Sequence, residues 1–527
     1  MIRPCVLLLL AAFSLHADTY PRQPGIDVQH YTFRLTLTDE TDEISGETTV
    51  DARFVRDGVT ELTLDLASTM HVTSVTSQYT HAADRLAITV DPPSHAGDRR
   101  QFTIAYHGIP TAGLRIGANK YGERTFFSQN WPDQARQWLP VIDHPYDKAT
   151  SEFIVTAPGR YQVVANGLLQ EQTDLSGGRR RTHWEQSAPI ASWLNALGVA
   201  QFATRHFGSV RGIPLQTWVY PEDRDAGITM FETSARQALE FYSERIGPFP
   251  YEKLANVEAT GFTGGMELAS AIFYGEKSVA ARPAPSLVAH EIAHQWFGDA
   301  VTEKDWDDVW LSEGFATYFT LLFLENSQGR DAFVEGLKHS REAVLAAEKK
   351  NPALTVIHNN LSDMRRVLNP LVYQKGGWTL HMLRAQMGTD KFWAGIREYY
   401  RRYRDSNAST DDFRKVMEEN SGADLSWFFR QWLQRAGSPV VEGSWSYNAA
   451  AKRIEIDLTQ TQAGEFYRLP LEIGIATDGD RRTRIEKIDM TRKDGRFEFD
   501  AEKEPSSVVL DPNTWLLMES RFAKRAN

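Results

Sequence analysis

From Tyr20 to about Phe207, apolar residues recur at every second position. Tyr31, Phe33, Leu35 and Leu37 alternate with polar residues, as do Leu62, Leu64 and Leu66. A period of two places the apolar side chains on one face of a strand. Further strands are expected at Gln101–Tyr106, Glu152–Thr156 and Tyr161–Ala165, separated by turn signals such as Asp57-Gly58 and Pro158-Gly159. Residues 18–207 therefore read as an all-β unit.

Near Tyr220 the period changes. Phe231, Ala235, Ala238, Leu239, Tyr242 and Ile246 fall at helical spacing and are stopped by Gly247-Pro248. A short apolar segment, Leu254–Ala259, leads into Gly261-Phe-Thr-Gly-Gly-Met-Glu-Leu-Ala-Ser270. Helical patterns then dominate, including Gly376–Met387, Phe392–Tyr403, Thr410–Glu419 and Trp427–Gln434. Gly437-Ser438-Pro439 marks another change. Beyond it, short strands are expected at Arg453–Leu458, Leu469–Ala476, Thr483–Met490 and Phe497–Phe499, with Asp478-Gly479 and Asp494-Gly495 as hairpin turns. The chain reads as multidomain α+β. An all-β unit (18–207) precedes a mainly helical unit with a small sheet (208–436), and a small β-sandwich (437–527) follows. Each unit is expected to have its own core.

Composition narrows the function. With 42% hydrophobic residues, 14 Trp and 27 Phe, the 527-residue chain is not mainly disordered. A net charge of −11 argues against non-specific nucleic-acid binding. Arg3, the apolar run Val6 to Leu15 and then Ala17-Asp18 have the layout of a secretory signal over residues 1–17. That run is too short to span a bilayer. Cys5, the one cysteine, lies ahead of the apolar run and should leave with the signal, so no disulfide is expected. An exported protein, periplasmic or extracellular, with no membrane span is expected.

The densest chemical signal is Ser286-Leu-Val-Ala-His-Glu-Ile-Ala-His-Gln-Trp-Phe-Gly298, in which His290, Glu291 and His294 spell H-E-x-x-H. Ser286 is placed to cap a helix and Gly298 to end it. Leu287, Val288, Ile292 and Trp296 suit a buried helix. One turn apart, His290 and His294 project from the same face and can share one Zn²⁺, with Glu291 positioned to act on water. After 18 further residues Glu313 opens a second apolar helical run, Leu311-Ser-Glu-Gly-Phe-Ala-Thr-Tyr318. Two His and one Glu leave a fourth tetrahedral position open, as in catalytic zinc sites. One zinc per chain is expected. The other histidines, such as His144, His183, His339, His358 and His381, lack partner spacing and read as structural.

These segments resemble the M1 family of zinc aminopeptidases. The resemblance rests on His-Glu-Ile-Ala-His-Gln-Trp-Phe-Gly (290–298), Trp-Leu-Ser-Glu-Gly-Phe-Ala (310–316), Gly-Gly-Met-Glu (264–267) and Tyr-Gln-Lys-Gly (373–376), in the family's order. It implies that His290, His294 and Glu313 bind zinc and that Glu291 is the general base. It further implies that Glu267 holds the substrate's free α-amine, that Gly264, Gly265 and Met266 line the peptide, and that Tyr373 steadies the oxyanion. The architecture implied is a β-saddle, a thermolysin-like catalytic domain and a small β-sandwich, in a short form without the family's large C-terminal helical domain. Peptides with a free N-terminus are the implied partners.

Three positions depart from the family pattern. Leu268 replaces the Asn after Glu267, and Ser312 replaces the common Asn before Glu313. In Phe127-Ser-Gln129-Asn-Trp131, Gln129 is retained as an amine contact while Trp131 stands where a second carboxylate is usual. The zinc chemistry is untouched, but amine recognition should be less strict. Two other readings stay open: a zinc hydrolase of another substrate (an endopeptidase, or an epoxide hydrolase as in one branch of the family), and a non-catalytic peptide-binding relative.

Overall fold

The structure is a computed structural model that describes residues 18–477 and 483–525. The signal reading (1–17) and the expected Asp478-Gly479 turn lie outside these residues. Elements named below are numbered in chain order as they enter.

The alternating N-terminal segment forms a seven-stranded sheet. At its centre Ile26–Thr36 runs antiparallel to Ile44–Phe54 and parallel to Lys148–Pro158. Along Ile44–Phe54 every second residue is buried, the pattern of a sheet with one dry face. Phe33 and Phe153 meet at 5.0 Å beneath it. Smaller sheets of four and three strands, among them Arg124–Gln129 and Glu61–Asp65, complete this β-rich region.

The next sheet positions the chemistry. Its strands are β1 (Ala203–Val210), β2 (Ile213–Val219), β3 (Leu254–Ala259), β4 (Gly265–Met266) and β5 (Ala271–Gly275), in the order β1-β2-β3-β5-β4. Residue 207 falls inside β1, which pairs with β2 and so with this second sheet. Every residue of β3 and β5 is buried. Alternation explains how. Ala271 and Phe273 enter the core of the N-terminal region, while Ile272 and Tyr274 enter the core under the helices. The sheet is a wall shared by two cores, and β4 is its free edge.

Among the described residues, seven helices of ten or more residues pack on the other side: α1 (Arg224–Arg245), α2 (Pro285–His294), α3 (Trp310–Gln328), α4 (Arg330–Lys350), α5 (Gly376–Met387), α6 (Thr389–Tyr403) and α7 (Thr410–Ser421). The ends of α2 differ from the sequence reading. Ala284 is the N-cap, without a side-chain bond, and Pro285 opens the helix. Proline's fixed φ and missing N–H suit that position, so the Ser286 hydroxyl has no capping role. The helix stops at His294. Gly298 lies beyond it at φ +111°, donating its N–H to the Val301 carbonyl, and a side chain there would strike Ser312. Helix α4 was not anticipated, although Phe333, Leu337 and Val344 carry its apolar face.

After residue 437 two sheets form the sandwich. One contains Asp494–Asp500, Arg453–Gln460, Val440–Asn448 and Glu519–Lys524; the other contains Arg484–Met490, Leu469–Ala476 and Ser507–Leu510. Asp494-Gly495 is not a turn but the start of a strand. Its pairing with Thr459 and Leu458 brings Phe497 and Phe499 opposite Ile456 and Ile454. The expectation of three separate cores also fails. Ile454, Ile456, Leu471 and Ile473 are continuous with the core of the helical region. His381 of α5 stacks on Trp515 at 4.7 Å and bonds to the Thr514 carbonyl. Two cores, not three, hold the described residues.

Helices α3 and α5 touch at Gly314 and Gly376. A Cβ on Gly314 would lie 2.9 Å from the Gly376 Cα. Both partners at this contact are backbone and cannot swing aside. Gly314→Val is expected to destabilise the fold by about 1–3 kcal/mol, as overpacking does, read as a lowered Tm in thermal denaturation. Melting with the wild type would show that this crossing yields.

Candidate active site

Val288 and Ile292 of α2 are fully buried, which turns His290 and His294 toward α3. Glu313 lies in the first turn of α3, anchored by the buried Trp310 and Leu311. Three ligand atoms converge there. The Nε2 atoms of His290 and His294 are 3.2 Å apart, and Glu313 Oε2 lies 3.6 Å and 3.3 Å from them. Donors bound to zinc at 2.0–2.1 Å in a tetrahedron stand about 3.3 Å from one another. Glu313 Oε2 is buried and has no hydrogen-bond donor. That orphaned oxygen and the donor spacing both fit a zinc ion, and the three residues form a metal-competent group.

The surroundings fix two of the ligands. His294 Nδ1 lies 3.0 Å from Ser312 Oγ and 3.3 Å from the Phe297 carbonyl. Carrying the proton on Nδ1 to serve these acceptors leaves the Nε2 lone pair free for metal. Ser312, one of the departures noted above, thus orients a ligand. The Tyr373 hydroxyl donates to Glu313 Oε1 at 2.8 Å. Tyr373 sits in a π-helical turn, Leu371–Lys375, that runs into α5 at Gly376. Burial and then the Glu313 charge push its phenol far above the usual range, so it stays a donor.

Lys375 was not singled out from the sequence, although it stands in the Tyr-Gln-Lys-Gly motif. It is fully buried and bonds Glu348 of α4 at 2.8 Å and the Gly437 carbonyl at 2.7 Å. Ser438 adds a bond to the same Glu348 oxygen at 3.1 Å. The turn bearing Tyr373 is thereby tied to α4 and to the segment that enters the sandwich.

Two more carboxylates complete the cluster. Glu267, Glu291 and His294 form a second group of buried, mutually close side chains. Glu291 lies against β4, where a Cβ on Gly265 would overlap its carboxyl group. Burial, and then Glu267, raise the Glu291 pKa well above normal. Burial also raises Glu267, with His294 opposing. For Glu313, burial pushes upward, but the adjacent imidazoles of His290 and His294 outweigh it and bring it to about 2. The one ion-pair contact of Glu267 among the described residues is His294 Nδ1, at 3.9 Å. Gln295 bolts the Glu267 carbonyl to the end of α2 at 2.8 Å.

The remaining positions are less convergent. Gly264 takes φ +78° and accepts from the Gly275 N–H, closing the turn ahead of β4. Met266 is half-buried on β4. Gln129 ends its strand with an exposed side chain that makes no hydrogen bond among the described residues. Trp131 packs edge-on against Trp306 at 5.5 Å. Leu268 is fully buried in the N-terminal core, so its side chain does not face the cluster. The replacement of an amide there is explained by packing. Beside His290 and Tyr373 opens a cleft of about 850 Å³, walled by Leu287, Leu321 and Leu324.

Comparison with known proteins agrees with this geometry. The Peptidase M1 N-terminal domain model matches residues 27–194, and the Peptidase family M1 domain model matches 231–432. The chain belongs to peptidase family M1. Aminopeptidase A of Gloydius brevicauda is 30% identical over 342 residues, covering 62% of this chain and 36% of that protein. Human glutamyl aminopeptidase is 28% identical over 348 residues, with the same coverage. This chain thus spans little more than a third of the length of these relatives. The M1 zinc metallopeptidase of Deinococcus radiodurans superposes with a TM-score of 0.69 at 26% identity, covering 79% of this chain and 95% of that one. A mutant of it, bound to a Tyr-Ser-Ala substrate, gives the same TM-score and covers 97% of its own chain.

Purified protein is expected to carry about one zinc per chain by elemental analysis. Glu313→Ala, which leaves two imidazoles, should lose the metal in a chelator dialysis that the wild type survives. Equal retention by both forms would remove Glu313 from the ligand set.

Proposed function

We propose that this chain is an exported zinc aminopeptidase that removes N-terminal residues from peptides. The observation that carries the reading is Glu267. It is a buried carboxylate at the end of a free sheet edge, beside the metal triad, with no lysine or arginine paired to it among the described residues. A carboxylate held this way suits an incoming ammonium group, to which it offers a charge-assisted bond. The edge of β4 at Gly264, Gly265 and Met266 offers backbone groups to an extended peptide, in the manner of strand addition. The relatives named aminopeptidases support the same reaction class.

With the amine on Glu267, the first peptide bond is brought to the triad. Zinc, when bound, supplies Lewis-acid chemistry, polarising a carbonyl and making water more acidic. Glu291 takes the proton from the attacking water and passes it to the leaving nitrogen. Its raised pKa suits both halves of that transfer. Tyr373 keeps its proton and gives a hydrogen bond to the developing oxyanion. The Glu313 carboxylate that now accepts this bond belongs to the triad itself, so the hydroxyl already stands at the metal group.

Export belongs to the same proposal and is supported by the layout of residues 1–17. No helix among the described residues is long and apolar enough to cross a membrane.

Replacing Glu291 by Gln should preserve zinc content and substrate binding while kcat falls by orders of magnitude. Tyr373→Phe should lower kcat about 10²–10³-fold with little change in KM, because its bond forms only in the transition state. Unchanged kcat in the Phe variant would strip Tyr373 of this role.

The amine site is tested with paired peptides, free and N-acetylated. Wild-type enzyme should favour the free form. Glu267→Ala should lower kcat/KM on free peptides by about 10–100-fold, from the 1.5–3 kcal/mol of a hydrogen bond to a charged group, and narrow the preference. Equal cleavage of both forms by wild type would make the enzyme an endopeptidase.

A further inference from the structure

The first described residue, Asp18, is buried between the N-terminal region and the loop that leads into α3. Its backbone nitrogen donates to Asp305 Oδ1 at 2.8 Å. Its carboxylate accepts from the Trp306 N–H at 3.2 Å and from His144 Nε2 at 2.7 Å. Arg22 bridges the two acids, 2.8 Å from Asp305 and 3.4 Å from Asp18. His144 Nδ1 accepts from the Tyr146 N–H at 3.1 Å and so carries no proton, which makes this imidazole neutral; burial favours the same form.

The charges do not balance. Two buried carboxylates face one guanidinium, and an uncompensated charge away from water is costly. Asp305 shows the shortfall: burial and the neighbouring Asp18 push it up to about 7. An amide N–H at Asp18 gives Asp305 only a neutral bond. An α-ammonium at the same atom would supply the missing positive charge, 2.8 Å from the carboxylate that lacks it. Ala17-Asp18 is also where the signal layout places the cut.

We propose that the leader is removed after Ala17, and that the α-ammonium freed on Asp18 pairs with Asp305 as a structural part of the mature enzyme. The proposal rests on the export reading above. In the step itself, a signal-processing peptidase adds water across the Ala17–Asp18 bond. Ala17 leaves as a carboxylate, and the Asp18 amine takes up a proton. The paired ammonium then completes a cluster of two acids and two bases. That cluster fixes the loop in which Asp305 caps the turn before α3 by accepting the Asp307 N–H, while the Asp307 carboxylate accepts the Asn360 and Leu361 N–H groups. Glu313 lies one helical turn further on. Maturation of the N-terminus and order at the metal helix are thus joined through Asp305.

The test compares purified chains that begin at Asp18 with chains that keep Gly-Ser ahead of it, each as wild type and as Asp305→Asn. The Asp18 start should melt about 1–2 °C above the extended form, the shift expected for a modest stabilisation in a chain of this size. In the Asn variant the gap should close. Equal melting of the two wild-type forms overturns the docking, and so does a gap that persists undiminished without Asp305. The wild-type pair alone decides the matter if the Asn variant does not fold. Mass spectrometry of protein recovered from outside the cytoplasm should give a chain starting at Asp18. A different start overturns the processing step. A chain retained inside with residues 1–17 attached overturns the export reading instead, while the melting comparison still judges the ion pair.

Discussion

Three carboxylates, Glu267, Glu291 and Glu313, are buried close together around two imidazoles. No lysine or arginine forms an ion pair with them among the described residues. Charges so placed repel one another in a low dielectric, and burial alone drives two of the three toward their protonated forms. A divalent cation relieves this for Glu313, whose bare Oε2 already faces both histidines. An ammonium group relieves it for Glu267 in the proposed reaction. Glu291, left with neither, keeps the high proton affinity that suits a base. In the proposed reaction this crowded set of acids divides into ligand, base and anchor according to what each oxygen faces.

Holding such a cluster takes rigid walls. The sheet that carries β4 is buried on both faces, its alternate residues locked into two cores, so its edge cannot retreat from the charges beside it. Apart from Ser286 in its first turn, helix α2 carries polar side chains only at His290, Glu291 and His294. Helices α3 and α5 meet backbone to backbone at Gly314 and Gly376, which sets the distance between Glu313 and Tyr373. Two of the three ligands are also oriented from behind, His294 by Ser312 and the Phe297 carbonyl, Glu313 by Tyr373.

Structure beyond the catalytic helices contributes in the same way. Lys375 is a buried cation with a carboxylate and a carbonyl for partners, and it joins the Tyr373 turn to α4 and to the entry of the sandwich. The sandwich shares the helical core, so it behaves as a buttress rather than an appended module. At the other end, the segment from Asp18 to Arg22 reaches the loop ahead of α3 through Asp305. Both regions flanking the catalytic part thus bear on the two elements that present Glu313 and Tyr373.

The sequence alone determined many of the elements, though not α4, and picked out the metal-competent group His290, His294 and Glu313, because these depend on short-range periodicity. Alternation of Tyr31, Phe33 and Leu35 specifies a strand face, and the i, i+4 spacing of His290 and His294 specifies a shared helical face. Glu313 at the head of an apolar run supplies the third donor. Local signals served less well where packing decides. Ser286 yielded the cap position to Ala284 and Pro285, and Asp494-Gly495 became strand because register brings Phe497 and Phe499 over the core. Leu268 looked like a change in the cleft, yet its side chain belongs to the opposite core. Only the tertiary structure brought together residues far apart in sequence: Glu267 with His294, Tyr373 with Glu313, Lys375 with Glu348, and Asp18 with Asp305. Those pairings depend on burial and charge balance across packed elements, and no window of neighbouring residues contains them.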